Sequence, residues 1–358
     1  MKKITVIGAG KIGAIVADFL HATRDYAVTL VDRDAAHLSG LDLHSAIERC
    51  VIDIAQDGLG NALDGQFAVL SAAPFHLTET VAKAAAAAGV HYLDLTEDVA
   101  STRAVRKLAE GARTAFIPQC GLAPGFVSIA AHDIAQRFES VDTIRLRVGA
   151  LPRFPANALG YNLTWSTDGL INEYIEPCEA IVDGKRALVL AMDGYETLGV
   201  DGVAYEAFNT SGGLGSLCET YDGQVRELNY RTMRYPGHRD LMKVLLSDLR
   251  LSERRHILHD IFTHALPTTT QDVVVVFVTV SGQRDGRLQQ ETFARTIHAR
   301  EFLGAHRTAI ALTTAGALCA TLDLLAEGAI PQEGFVRQED IALASFLGNR
   351  FGQVYGRE

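Results

Sequence analysis

A chain of 358 residues with 48% hydrophobic side chains can bury large cores and is too long for one domain of ordinary size, so two domains are expected. Its 33 basic against 43 acidic residues leave a net charge of −10, which argues against nucleic acid or an anionic membrane as the main partner. Five scattered cysteines (Cys50, Cys120, Cys178, Cys218, Cys319) form no CxxC pair and no spacing suited to a metal, so reduced thiols and no metal are expected.

The first element is an apolar strand around Ile4, Val6 and Ile7, with no signal-peptide pattern before it. The longest weakly polar stretch, 309–320, is too short to span a bilayer, so a soluble cytoplasmic protein is expected. That strand opens onto Gly8-Ala9-Gly10-Lys11-Ile12-Gly13 and then a helical pattern. In such a GxGxxG turn the first glycine permits the tight bend and the second lets backbone approach a pyrophosphate; the third lets helix pack on strand. Phosphates would then face the N–H groups and positive dipole end of the helix, with Lys11 and Ile12 beside them.

The next strand, 26–31, ends at Asp32, 19 residues after Gly13. At that interval an acidic side chain accepts hydrogen bonds from an adenosine ribose and repels a 2′-phosphate, so NAD is expected over NADP. Arg33 is the residue able to soften that preference, by stacking on adenine or pairing with phosphate.

Apolar runs at 50–54, 67–72, 91–95 and 114–118 then alternate with helical patterns, of which the alanine-rich 77–88 is the clearest. Alternation of this kind predicts a parallel sheet covered on both faces, a doubly wound (Rossmann) α/β domain over residues 1–122. Ligands lie beyond the carboxyl ends of such strands, which draws attention to loops 71–75, 94–98 and 119–125. Ser71, Ala73 and Pro74 are expected to border ribose and nicotinamide. Gly121 and Pro124, with Gly125, either contact nicotinamide or form a hinge into the second domain. Asp94, Glu97 and Asp98 end the fifth strand at the nicotinamide side, where a carboxylate would act as a catalytic proton acceptor or anchor an ammonium; of the three Asp94, nearer the strand, is the best placed. The alternative for Glu97 and Asp98 is a solvated helix start capped by Thr96.

After residue 125 one helix precedes strands at 143–149, 179–182, 186–190 and 273–280, which together predict a second α/β domain over 123–303. The β-branched run 272–281 is expected to be a central strand. Helices at 308–327 and 338–348 make a tail, 304–358, expected to pack back on the first domain.

Several separated segments resemble the saccharopine dehydrogenase family, and within it the lysine 6-dehydrogenase branch most closely. They are GAGKIG, CGLAPGF (120–126), GALPRFP (149–155), YNLTWSTDGLINEY (161–174), YEAFNTSGG (205–213) and RTMRYPGH (231–238), covering nearly the whole chain. Glutamate-forming saccharopine reductases tend to carry an acidic residue inside the Gly-Leu-x-Pro-Gly turn and commonly use NADP; this chain has Ala123 there and Asp32 at the ribose position. The resemblance therefore implies an NAD-dependent dehydrogenase acting on the C–N bond of a small amino acid. Its expected substrate is L-lysine, oxidised at the terminal amine to the semialdehyde, and the expected assembly is a homodimer. The alternatives are a saccharopine- or opine-type reductase joining an amino acid to a carbonyl compound, and a non-catalytic dinucleotide-binding regulator.

Hydride leaves the carbon of an amine only when its nitrogen is uncharged, and a lysine ammonium has a pKa of roughly 10.4, so such a site needs a proton acceptor. His238 is the first candidate base; otherwise it orders the turn after Pro236 and Gly237. A substrate carboxylate suits an arginine fork, with Arg234 foremost and Arg231 or Arg153 as alternatives. Tyr161, Trp165 and Tyr235 are candidates to wall an aliphatic chain, though Trp165 equally suits a core, and Glu206 is a further ammonium partner.

Overall fold

The apolar runs of the N-terminal third become six strands: β1 (Lys2–Ile7), β2 (Tyr26–Asp32), β3 (Glu48–Val51), β4 (Ala68–Ser71), β5 (His91–Asp94) and β6 (Ala115–Ile117). The computed structural model describes residues 1–356. In space the strands run β6-β5-β4-β1-β2-β3, all parallel, with Gly334–Phe335 added beside β6. The order reverses between β1 and β4, which is the switch point of a doubly wound sheet. β3 stops sooner than the run 50–54 suggests, because the Asp53 side chain accepts from the Ala55 N–H and starts a helical turn at Ile54.

Contacts divide the chain into two compact units, residues 1–129 with 311–356, and residues 130–310. The first has a core of Ile7, Val31, Val69, Val81, Tyr92, Val105 and Phe116. Its C-terminal segment stacks Tyr355 on Phe126 at 3.7 Å between ring centres. Tyr26, Asn349 and Arg350 all donate to the carboxylate of Asp323. The helix Ala309–Ala326 matches the expected helix 308–327, and its apolar character extends beyond the weakly polar run 309–320. It passes for a membrane span by length and composition, with mean hydropathy 1.7, yet 89% of that window is buried within the protein. Asp323, which interrupts the apolar run, is itself buried. The expected helix 338–348 is a 3-10 turn, Gln338–Asp340, followed by a separate helix, Leu343–Gly348.

The second unit is built on β7 (Ser140–Pro152), β8 (Cys178–Val182), β9 (Lys185–Val189), β10 (Glu196–Val200), β11 (Val203–Asn209), β12 (Glu227–Arg234), β13 (Asp272–Arg284) and β14 (Arg287–His298). Their order is β10-β11-β12-β7-β13-β14, with β8 pairing both β12 and β9. β13 lies between two antiparallel neighbours, with Val274, Val276, Val278 and Val280 fully buried, as its β-branched run requires. β10, β11, β12 and β14 went unrecognised as strands, and in β10, β12 and β14 charged residues break the apolar alternation. In the sheet those charges pair across strands, Glu196 with Arg147 and Arg231, and Glu227 with Arg145.

Candidate functional site

Register places the carboxyl ends of the first-unit strands side by side: Ile7 pairs Val31 and Ser71, Ser71 pairs Asp94, and Leu93 pairs Ile117. The glycine turn, Asp32, Ser71–Pro74, Glu97 and Gly121 therefore follow one edge of one sheet. The turn's chemistry is dictated by contact. A Cβ on Gly13 would lie 1.8 Å from the carbonyl oxygen of Gly8, and one on Gly8, whose φ is +91°, would meet the Ala72 carbonyl at 2.8 Å. Above Gly10 nothing lies within 4 Å, and no side chain caps the helix Lys11–Ala22 that Gly10 begins. An uncapped helix start under open space, with no acidic residue in its first turn, suits a dinucleotide pyrophosphate. Lys11 is exposed and Ile12 half-buried at that end.

Asp32 is half-buried, with Oδ2 accepting from the Ala9 N–H at 2.7 Å and Oδ1 from the Asp34 N–H at 3.0 Å. Each oxygen keeps lone-pair capacity for a ribose hydroxyl. Arg33 is exposed, while His37 bonds the Ala9 carbonyl through its ring at 2.9 Å, a contact that sequence reasoning passed over. Ser71, Gly121 and Pro124 are buried, Ala73 is half-buried and Pro74 exposed.

The acidic cluster after β5 departs from expectation in three ways. Asp94 is only 1% exposed, and its carboxylate accepts from Tyr92 Oη at 2.7 Å, the Gln119 N–H at 2.8 Å and the Thr96 N–H at 3.0 Å. A carboxylate so occupied by protein donors is poorly placed to anchor a substrate ammonium. Burial lifts its pKa to about 6, against the pull of those hydrogen bonds. Asp98, and not Thr96, caps the helix Val99–Ala109, accepting from the Ser101 N–H at 2.7 Å, because its backbone is extended where the helix begins. Glu97 precedes that cap and is half-buried; desolvation, then repulsion from Asp98 and Asp94, raises its pKa to about 7. Of the three it is the carboxylate poised to exchange a proton near neutrality.

In the second unit the candidates meet in a buried cluster. Arg234, 3% exposed, donates from Nε to Tyr174 Oη at 2.8 Å and from Nη1 to the Met233 carbonyl at 2.9 Å, with its guanidinium 4.9 Å from the Tyr161 ring centre. Among the described residues the only carboxylate within ion-pair reach is Glu173, at 3.8 Å. His238 Nδ1 lies 2.8 Å from the Leu159 carbonyl, which can only accept, so Nδ1 carries the proton. Nε2, 2.9 Å from Tyr174, then accepts that hydroxyl. Burial and then the Arg234 charge pull the His238 pKa down to about 3. With both ring nitrogens held by the protein and the charged form suppressed, His238 has the surroundings of an anchor for Tyr174 and not those of a base.

Trp165 donates to Tyr161 Oη at 3.0 Å and packs on the core of this unit. Tyr235 stacks on Tyr205 and donates to the Pro152 carbonyl at 2.8 Å. Glu206 departs from its expected role as ammonium partner. Its oxygens accept from the Gly237 and Arg239 N–H groups, capping the helix His238–Lys243. Arg231 pairs with Glu196, and Arg153 is exposed beside Phe154. Tyr174 and Glu173 were missed, since an apolar-patterned helix bearing a tyrosine reads as core.

Comparisons with known proteins agree with this anatomy. The model for the saccharopine dehydrogenase NADP binding domain matches residues 4–117, and that for the saccharopine dehydrogenase C-terminal domain matches residues 121–349. The mitochondrial alpha-aminoadipic semialdehyde synthase of Rattus norvegicus is 23% identical over 192 residues, a stretch that is 51% of this chain but only 21% of that protein. Among solved structures, apo saccharopine dehydrogenase (L-Glu forming) from Saccharomyces cerevisiae matches with a TM-score of 0.77 at 17% identity, covering 97% of this chain and 96% of that one. The DAP dehydrogenase of C. glutamicum, in complex with DAP, gives 0.51 at 12% identity, with 100% and 99% covered. At these identities the solved structures show a shared fold. With the two domain models together reaching from residue 4 to residue 349, the chain belongs to the saccharopine dehydrogenase family.

Proposed function

We propose that this chain is an NAD-dependent amino-acid dehydrogenase that oxidises a C–N bond, with the terminal amine of L-lysine as substrate. What supports the reading is one sheet edge that carries both a dinucleotide turn flanked by Asp32 and a carboxylate, Glu97, with proton affinity near neutrality. When bound, nicotinamide accepts the hydride from the carbon bearing the amine. Glu97 takes the proton that the substrate ammonium must lose first and passes it to solvent; ionised again, it accepts a proton from the water that adds to the iminium, so that ammonia leaves. In the second unit Arg234, bonded to Tyr174, Thr232 and Met233 with Glu173 3.8 Å away, is the arginine whose chemistry suits a carboxylate. His238 keeps Tyr174, and through it Arg234, in place. Formation of NADH from NAD with lysine, with ammonia released, is the expected result; NADH consumption only with glutamate plus the semialdehyde would transfer the chain to the saccharopine-forming reaction.

NAD preference is an assignment to this chain against a domain model described as NADP-binding, and it rests on the charge of Asp32. Asp32→Ser is expected to weaken NAD binding about tenfold and to bring NADP level with it, as measured by titration of each coenzyme. Unchanged affinities for both would remove Asp32 from the ribose site.

The proton acceptor fixes a pH dependence. Glu97 acts only when ionised, so kcat/KM is expected to climb as pH rises through about 7, and further as the amine itself deprotonates. Glu97→Gln should lower turnover by about 100-fold or more and erase the step near neutrality. A variant that keeps the wild-type profile would assign that step to another group.

A further inference from the structure

We propose that Asp94 and Gln338 form a clamp that sets the conformation of segment 119–125 after β6, acting as positioning residues that do not touch substrate. The segment is unusual for its backbone. Gln119 is buried and adopts φ +65°, a left-handed conformation that resists a side chain. Gly125 approaches so near that a Cβ there would lie 2.1 Å from the Gly121 carbonyl oxygen. Such a shape persists only when neighbouring groups impose it.

Two side chains from distant parts of the sequence do so. From β5, Asp94 Oδ1 accepts the Gln119 N–H at 2.8 Å while the Asp94 carbonyl accepts the Cys120 N–H at 2.8 Å. The same carboxylate is fixed by Tyr92 and by the Thr96 N–H, so its direction is set before it meets the segment. From the C-terminal segment, Gln338, 3% exposed, donates through Nε2 to the Pro118 carbonyl at 2.8 Å and to Cys120 Sγ at 3.3 Å. Gln338 is held in its own turn by the Arg337 N–H bonded to Asp340 at 2.9 Å. The bends at Pro118, Gln119 and Cys120 are thus pinned from two sides by one acid and one amide. The clamp is read from geometry; its consequence for coenzyme binding rests on the function proposed above.

Hydrogen exchange on the full, unliganded chain tests the clamp without any activity. In Gln338→Ala and in Asp94→Ala, the Gln119 and Cys120 amides are expected to exchange about tenfold faster, while amides of β1 and β2 keep their protection. Asp94→Asn retains an acceptor oxygen for the Gln119 and Thr96 amides and should restore most of the protection, whereas a charge-based ammonium anchor would leave it as damaging as alanine to substrate KM. NADH affinity should fall by about tenfold in both alanine variants, with less than additive loss in the double variant. Should Asp94→Ala fail to fold, Gln338→Ala alone decides. Unchanged exchange at Gln119 and Cys120 overturns the clamp; a wild-type chain that binds no dinucleotide overturns the proposed function and leaves the exchange result to judge the clamp by itself.

Discussion

Gly13→Ala is expected to cost the protein both stability and coenzyme, whereas Gly10→Ala costs it coenzyme alone. The added methyl at position 13 would stand 1.8 Å from a backbone carbonyl oxygen, which no rotamer change can relieve, so strand and helix must separate. Overpacking typically costs 1–3 kcal/mol, and conflict with fixed backbone places this change at about 3 kcal/mol. Dinucleotide affinity should drop by about 100-fold or more, because the amides facing the pyrophosphate move with the helix. At position 10 the methyl enters open space and meets only the ligand, so the melting temperature should stay near wild type while affinity falls about tenfold. Equal destabilisation by both substitutions, or wild-type affinity in Gly10→Ala, would show that the turn does not cradle phosphate.

Asp323→Ala is expected to destabilise the first unit by about 3 kcal/mol, the lower end of the range for breaking a buried ion pair. Its carboxylate gathers the Tyr26 hydroxyl, the Asn349 amide and two Arg350 donors, and Tyr26 and Asn349 are buried with it. The lower end applies because the Arg350 side chain is 40% exposed and keeps Asp25 at 2.6 Å, so its charge is not stranded. Burial opposes ionisation of Asp323, yet the bonds from Arg350, Tyr26 and Asn349 overcome it and hold its carboxyl below the usual range. A lowered carboxyl pKa contributes stability that is complete above the unfolded value of about 3.9 and fades as pH falls through the folded one. The variant's penalty should therefore shrink in acid. Chemical denaturation at neutral and at acid pH measures it, and a penalty independent of pH would mean that the ionised network contributes nothing.

The parts that could be read from sequence are those where local chemistry decides. The tight turn at Gly8 and Gly13 and the place of Asp32 at the end of β2 are legible because backbone clearance and strand length depend on residue type and spacing alone. The buried valines of β13 are legible for the same reason. Roles that depend on a distant partner were not. Asp94 looked like a ligand for substrate until Tyr92, Gln119 and Thr96 were found around it, and Gln338 offered no signal at all, being 218 residues from the thiol it meets. His238 looked like a base because imidazoles titrate near neutrality; only the fold shows Leu159 and Tyr174 claiming both nitrogens. Glu206 carried no hint in sequence that its oxygens close the start of a helix. Thr96 and Asp98 are both good caps by type, and the choice between them fell to backbone conformation.

Calorimetric titration of the unliganded chain with NADH and NADPH bears most directly on the account. Saturable binding of NADH, tighter than that of NADPH and lost in Gly13→Ala, is the predicted result. Absence of binding heat with either coenzyme would contradict it.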